Sequence, residues 1–188
     1  MSAGSQYYFA GQAGNQPGSG VLPPVTVLGR GGADRPEREP LQVLTTLDDV
    51  RAANRRAMLI AKRLVSIYTS DLEPKLYEDE SFLEVAQRFL LAHSFAKIRV
   101  LTQRPVPYTT AHKLVAMRRR LSGHIEIRSV MPQFAARTQG MLIADSRAIV
   151  YRTQAGNYDG VAGFAQPPVA RHYLGEFDEM WLASAPRF

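Results

Sequence analysis

Cysteine is absent from the chain, which excludes a disulfide framework and any thiolate metal site and fits a reducing compartment. No stretch approaches the roughly 18 apolar residues that a membrane span requires, and Met1 to Gly20 lacks the basic start and apolar run of a signal peptide. A soluble, cytoplasmic protein with no membrane partner is expected. The four histidines show no metal-ligand spacing such as H-E-x-x-H, and Gly140, Gly156, Gly160 and Gly163 are followed by no G-K-[ST] in P-loop spacing. No metal and no cofactor is expected on that ground. Helix-turn-helix, RRM and zinc-finger patterns are missing too, and there is no internal repeat.

What the chain does hold is an uneven charge. Its net charge is +6, yet residues 97–152 carry eleven Lys/Arg against two acids, while the rest is close to neutral or slightly acidic. A field of that sign favours nucleic acid, a phosphorylated ligand or an acidic partner, and is equally compatible with a solvated basic face.

With 188 residues there is room for one domain and a tail. Residues 1–40 are rich in Gly, Pro, Ser, Gln and Asn, so they bury too little apolar area to offset their ordering entropy. They read as a disordered arm that can dock on a protein partner through Tyr7, Tyr8, Phe9 and the patch Val25 to Leu28. Residues 41–188 read as one α/β domain. An apolar stripe through Val50, Ala53, Ala57, Met58 and Ile60 predicts a first helix over 48–63, capped by Thr46 or Asp48. Leu64 to Thr69 is a buried strand, and Ser81-Phe-Leu-Glu84 matches a capping box before the stripe Phe82, Val85, Ala86, Phe89, Leu90. Lys97 to Thr102 alternates as a second strand. Thr109 or Thr110 caps a helix running through Leu121, with Gly123 as its stop. His124 to Val130 is a third strand, Met141–Ala144 and Ala148–Tyr151 form a hairpin, and a last helix follows Pro167 and Pro168. The fold class expected is therefore a mixed, mostly parallel sheet flanked by helices, with ligands beyond the carboxyl ends of its strands, where Ser70, Asp71, Arg104, Tyr108 and His112 emerge.

Four segments, Ala61 to Thr69, Ala96 to Leu101, Gly140 to Asp145 and Ala170 to Trp181, give residues 44–185 a resemblance to a phospholipase D-like half-domain. They are similar in particular to uncharacterised bacterial domains of this type that often follow an acetyltransferase domain. The family's enzymes use a strand-borne H-x-K-x4-D motif, in which His attacks the phosphodiester and Lys holds its oxygens. With Asp145 as the motif's acid, Thr138 stands at the His position and Gly140 at the Lys position. The resemblance thus implies the fold with a degenerate active site and no phosphohistidine route. Because phospholipase D halves pair about a two-fold axis, it also implies a homodimer.

Two kinds of residue remain as site candidates. His112-Lys113 at a predicted helix start, beside Tyr108, offers an anion pocket or an acid/base, with Asp71 as a second catalytic candidate. Arg118, Arg119 and Arg120, continued by Arg128, Arg137, Arg147 and Arg152 and joined by Arg104, are suited to phosphate contacts. Asn157, Tyr158 and Asp159 in a turn-rich loop rank second. These residues support a non-catalytic binding or regulatory protein for nucleic acid or another phosphate-bearing ligand. The alternatives are a residual phosphodiesterase or phosphotransferase using His112, and a structural subunit of a larger complex.

Overall fold

The computed structural model describes residues 39–184; the arm expected over residues 1–40 lies, but for its last two residues, outside that range. Strand β1 (Gln42–Leu44) leads into helix α1 (Leu47–Ile60). Thr46 starts the helix by a reciprocal cap: its Oγ1 accepts from the Asp49 N–H at 3.1 Å, and Asp49 Oδ2 accepts from the Thr46 N–H at 2.9 Å. That choice leaves Asp48 in the first turn, where a carboxylate complements the helix dipole. Strand β2 (Leu64–Thr69), a short helix α2 (Pro74–Tyr77) and helix α3 (Glu80–Ala92) follow. The cap of α3 lies two residues before the Ser81 expected: Asp79 Oδ2 accepts from the Phe82 N–H at 3.1 Å and also from the Ser81 hydroxyl. A carboxylate already placed three residues before Phe82 satisfies that N–H, so Ser81 falls inside the first turn.

Strand β3 (Lys97–Thr102) is followed by helix α4 (Lys113–Arg120), which starts later than Thr109 or Thr110 because His112 is its cap. Strand β4 (Ile125–Ser129), the hairpin of β5 (Gly140–Ala144) and β6 (Ala148–Arg152), strand β7 (Gly160–Gly163) and helix α5 (Pro167–Ala183) complete the chain order. The seven strands form one sheet in the order β1-β7-β6-β5-β2-β3-β4. It is the mixed sheet expected, but only the β2–β3 and β3–β4 pairings are parallel, and the other four are antiparallel. The parallel share was overestimated because β1 and β7 are strands of three and four residues, too short to show a period.

Helix α1 lies on β5 and β6, α4 lies on β4, and α3 packs between them, while α5 covers β2, β5 and β6 from the other side. Alternation divides the side chains between these layers. Val65, Ile67, Ile98, Val100, Leu142 and Val150 join Val50, Ala57, Phe82 and Leu90 in the main core. On the opposite face, Arg99 donates to Ser66 Oγ at 3.0 Å and to Asp178 at 2.7 Å, and stands over the rings of Phe177 and Trp181.

Beyond the β2–β5 ladder, one side chain ties the two halves of the sheet. Asp145, in left-handed backbone with φ 52°, accepts from the N–H groups of Lys62, Arg63 and Leu64 at 2.9, 2.9 and 3.0 Å. An ionised acceptor makes these bonds stronger than neutral ones. The substitution Asp145→Ala removes the acceptor and leaves the three donors to water, and is expected to lower unfolding stability by about 2–3 kcal/mol. Urea titration checks this; a loss within about 0.5 kcal/mol, the range of ordinary surface changes, would contradict it.

Candidate functional site

Position 140 opens β5 beside the carboxyl end of β2, since Met141 pairs with Tyr68. Thr138 is exposed two residues earlier, its hydroxyl donating to the Thr153 carbonyl at 3.4 Å. Asp145 ends the same strand at the far edge of the sheet, where its carboxylate is fully engaged by backbone N–H groups. The three positions aligned with the motif therefore do not converge.

The space above Gly140 is filled by another strand's side chain. A Cβ at position 140 would stand 2.5 Å from Arg152 Nη2 and 3.0 Å from its Cζ. Arg152 is 2 % exposed, and its guanidinium makes four hydrogen bonds: Nη1 donates to Glu73 Oε1 at 2.9 Å, to the Ala155 carbonyl at 2.7 Å and to the Asn157 carbonyl at 2.9 Å, and Nη2 donates to Glu73 Oε2 at 2.8 Å. Burial opposes its charge, but Glu73 together with Tyr77 and Tyr158 outweighs it and raises the pKa above the ordinary arginine value. Glu73 also accepts from the Thr69 hydroxyl at 2.6 Å. To bring that carboxylate over the strand ends, Leu72 and Glu73 both adopt positive φ, 72° and 31°. Backbone of this kind costs about 1–3 kcal/mol per residue and persists only where surrounding contacts hold it. Beside the pair, burial and the Glu73 charge push the Tyr77 hydroxyl well above the usual tyrosine range. A shallow cavity of about 260 Å³, lined by Ser70, Asp71, Lys75 and Tyr158 among others, lies at this edge.

His112 is buried, at 5 % exposure, with Nδ1 accepting from the Leu114 N–H at 3.1 Å. That bond puts the proton of the neutral ring on Nε2, which is buried, facing the Leu72 backbone without a well-formed hydrogen bond. Burial holds its pKa below the ordinary histidine value, against the pull of Glu78, whose Oε1 is 3.9 Å from Nδ1. Lys113 gives its backbone N–H to the same Glu78 oxygen and its ammonium to Glu80 at 3.6 Å. Asp71 is exposed and 3.7 Å from Arg104; the structure brings it to the same end as His112 without joining the two.

The remaining candidates separate into paired and unpaired groups. Arg128 is bound to Glu126 at 2.7 Å, donates to the carbonyls of Trp181 and Ser184 at 2.9 and 2.8 Å, and lies 4.1 Å from the Trp181 ring centre, so it holds the end of α5. Arg137 is bound to Glu176 at 2.6 Å. Arg118 and Arg119 flank the exposed Tyr108 ring at 5.1 and 5.9 Å, and Arg119 donates to the Tyr108 carbonyl at 2.9 Å. A groove of about 770 Å³ runs there between β4 and the segment 105–108. Arg120 and Arg147 are exposed, Arg147 in the β5–β6 turn at the edge opposite Arg104, Lys113 and Arg152. Asn157 gives its carbonyl to Arg152 and its side-chain oxygen to the Tyr158 N–H at 2.7 Å, and Asp159 is exposed in the loop before β7. Glu73, which organises this end of the sheet, was not a sequence candidate; its partner is 79 residues away and no local spacing marks it.

The fold is phospholipase D-like. It is similar to Nuc, a phospholipase D family member from Salmonella typhimurium, with a TM-score of 0.56 and 14 % identity over 79 % of this chain and 97 % of that one. NucT from Helicobacter pylori gives 0.54 and 12 %, over 79 % and 98 %. TrmBL2, an archaeal chromatin protein with a novel mode of DNA binding, gives 0.55 and 14 %, over 81 % of this chain and 56 % of that one. This chain thus spans little more than half of TrmBL2, and at these identities the likeness is one of fold. No curated protein matches the sequence. A family model described as "Domain of unknown function (DUF7931)" matches residues 46–188.

Two outcomes follow from the geometry. Replacing Glu73 by Ala leaves a buried guanidinium without its carboxylate and is expected to cost about 3–5 kcal/mol in urea unfolding, whereas the double change Glu73→Leu with Arg152→Met costs less than the single one; equal losses would deny the pair its role. For His112 the folded pKa is depressed, so the unfolded chain binds more protons and stability falls as pH drops below the unfolded value near 6.5. His112→Asn keeps a capping acceptor, and its stability difference between about pH 7.5 and pH 5 is expected to be smaller than that of the unchanged chain; the same difference in both would refute the assignment.

Proposed function

The chain belongs to the family of the domain of unknown function DUF7931, and from that premise we propose a non-catalytic phospholipase D-like module that binds nucleic acid or another phosphate-bearing ligand through a basic surface. One observation carries the non-catalytic part: the guanidinium of Arg152 occupies the space over Gly140 and is neutralised there by Glu73. A phosphodiester brought to this edge meets no free imidazole and no free cation at the motif positions. His112 is spent on capping α4, with its only other ring nitrogen buried, which argues against the residual hydrolase or phosphotransferase.

The binding part rests on the cations that the fold leaves unpaired. Arg128, Arg137 and Arg152 are engaged by Glu126, Glu176 and Glu73, so they are unsuited to a ligand. Arg118, Arg119 and Arg120 have no ion pair among the described residues, and the first two lie beside an exposed tyrosine, an arrangement suited to phosphate and base contacts. The fold's likeness to TrmBL2, which binds DNA, agrees with this reading.

Anisotropy titration of a labelled oligonucleotide is expected to show an affinity that falls with salt, with a log–log slope of about 0.7–0.9 per phosphate contacted. Arg118→Ala combined with Arg119→Ala and Arg120→Ala should flatten that slope, and a panel of phosphodiesters should show no turnover above the uncatalysed rate. Salt-independent retention, or turnover abolished by His112→Asn, would overturn the proposal.

A further inference from the structure

The two edges of the sheet differ in charge. Where the parallel strands end, segments 69–80, 102–113, 129–140 and 152–160 hold five Lys/Arg and six Asp/Glu. Where those strands begin, segments 60–64, 93–97, 118–124 and 144–148 hold seven Lys/Arg and one acid, and Glu39, which reaches the same edge through the start of β1, is paired with Arg56. The acid within those segments is Asp145, whose carboxylate already accepts three backbone N–H groups. The field at the amino-terminal edge is thus positive, and the edge where this class of sheet ordinarily takes its ligand is close to neutral.

Backbone bonds set the order of residues along the positive edge. Asp145 N–H donates to the Leu64 carbonyl at 2.7 Å, Lys97 N–H to the Arg63 carbonyl at 3.0 Å, and Ile98 N–H to the His124 carbonyl at 2.8 Å. The turn bearing Arg147, the pair Lys62-Arg63, Lys97, and the end of α4 before His124 therefore follow one another at strand spacing, roughly 4.8 Å per step. Lys62, Arg63, Lys97, Arg120 and Arg147 are exposed, and none makes an ion pair among the described residues. Cations so placed are solvated at a cost in mutual repulsion that a polyanion relieves.

Beside this row stands an aromatic stack. Phe95 is 53 % exposed. The exposed His93 ring lies parallel to it, within 3° at 5.0 Å, and the Arg63 guanidinium is 5.5 Å from the Phe95 ring centre. A flat, open stack flanked by cations is a surface that an unpaired nucleobase extends, and bases locked in a duplex offer it no free face.

We infer that the amino-terminal edge of the sheet is a binding surface for single-stranded nucleic acid, with Lys62, Arg63, Lys97 and Arg147 on successive phosphates and the His93–Phe95 stack against a base. This rests on the proposed phosphate-ligand reading and names its partner and place. Ile60 and Leu91, 37 % and 64 % exposed near the ends of α1 and α3, are what an anionic bilayer would use instead, so vesicles form one arm of the test.

The experiment is anisotropy of the full chain with a fluorescein-labelled oligothymidylate of about 20 nucleotides and its duplex with oligoadenylate, from about 50 to 200 mM salt. Single strand is expected to bind more tightly than duplex. Lys62→Ala with Lys97→Ala and Arg147→Ala should weaken binding at least about ten-fold at the lowest salt and reduce the slope by about two. Phe95→Ala should cost about five-fold or more, and Phe95→Tyr should restore it. Arg104→Ala with Lys113→Ala, at the other edge, should change little. If oligonucleotide binds but only the Arg104 and Lys113 variant weakens it, this inference falls and the broader reading stands. If no nucleic acid binds, or if phosphatidylserine vesicles bind and oligonucleotide does not compete, this inference falls together with the nucleic-acid part of that reading. Duplex binding as tight as single strand and indifferent to Phe95 overturns the choice of partner.

Discussion

The buried pair of Arg152 and Glu73 is the contact around which the carboxyl end of the sheet is built. A guanidinium out of water is tolerated only where its charge and its donors are matched, and here one carboxylate and two backbone carbonyls do so. Much of the local architecture follows. The chain after β2 turns through left-handed backbone at Leu72 and Glu73 to deliver the carboxylate. The loop after β6 folds so that Ala155 and Asn157 present their carbonyls, and position 140 carries no side chain because the arginine is already there. The same closure that stabilises the end of the sheet leaves the Arg152 guanidinium engaged by Glu73.

Pattern-based signals were sufficient for the parts of the fold that depend on local periodicity. The stripes of α1 and α3, the alternation of β3 and the β5–β6 hairpin lie where their residues put them. Legibility failed where a distant partner decides. Nothing near Glu73 in sequence announces Arg152, and nothing near Arg128 announces the last turn of α5. Charge counted along the chain suffers from the same blindness: residues 97–152 are basic as a string, but Arg99, Arg128, Arg137 and Arg152 are matched by acids or carbonyls, three of the four by acids from outside the string. Conversely, Lys62 and Arg63 lie outside that string and join its surface only through the sheet.

Histidine 112 illustrates how a residue chosen for its chemistry can be occupied by structure. A helix start that lacks Ser, Thr, Asp or Asn at the boundary still needs an acceptor for its first N–H groups, and an imidazole in the neutral form supplies one. Once used in this way, the ring is no longer a free base. The Glu78 carboxylate beside it accepts the preceding N–H, from Lys113, so the two together close the helix against the segment between α2 and α3.

The tie made by Asp145 bears on how the chain assembles. Its carboxylate binds backbone 81 to 83 residues earlier in sequence, while the hairpin whose turn it opens and the strand–helix–strand unit it meets are each built from near neighbours. Long spans are closed late, because their loop entropy is lost before any contact compensates it. Two halves, each built from near neighbours, thus meet along the β2–β5 ladder, and the aspartate reinforces the register in which the inward side chains of both share one core.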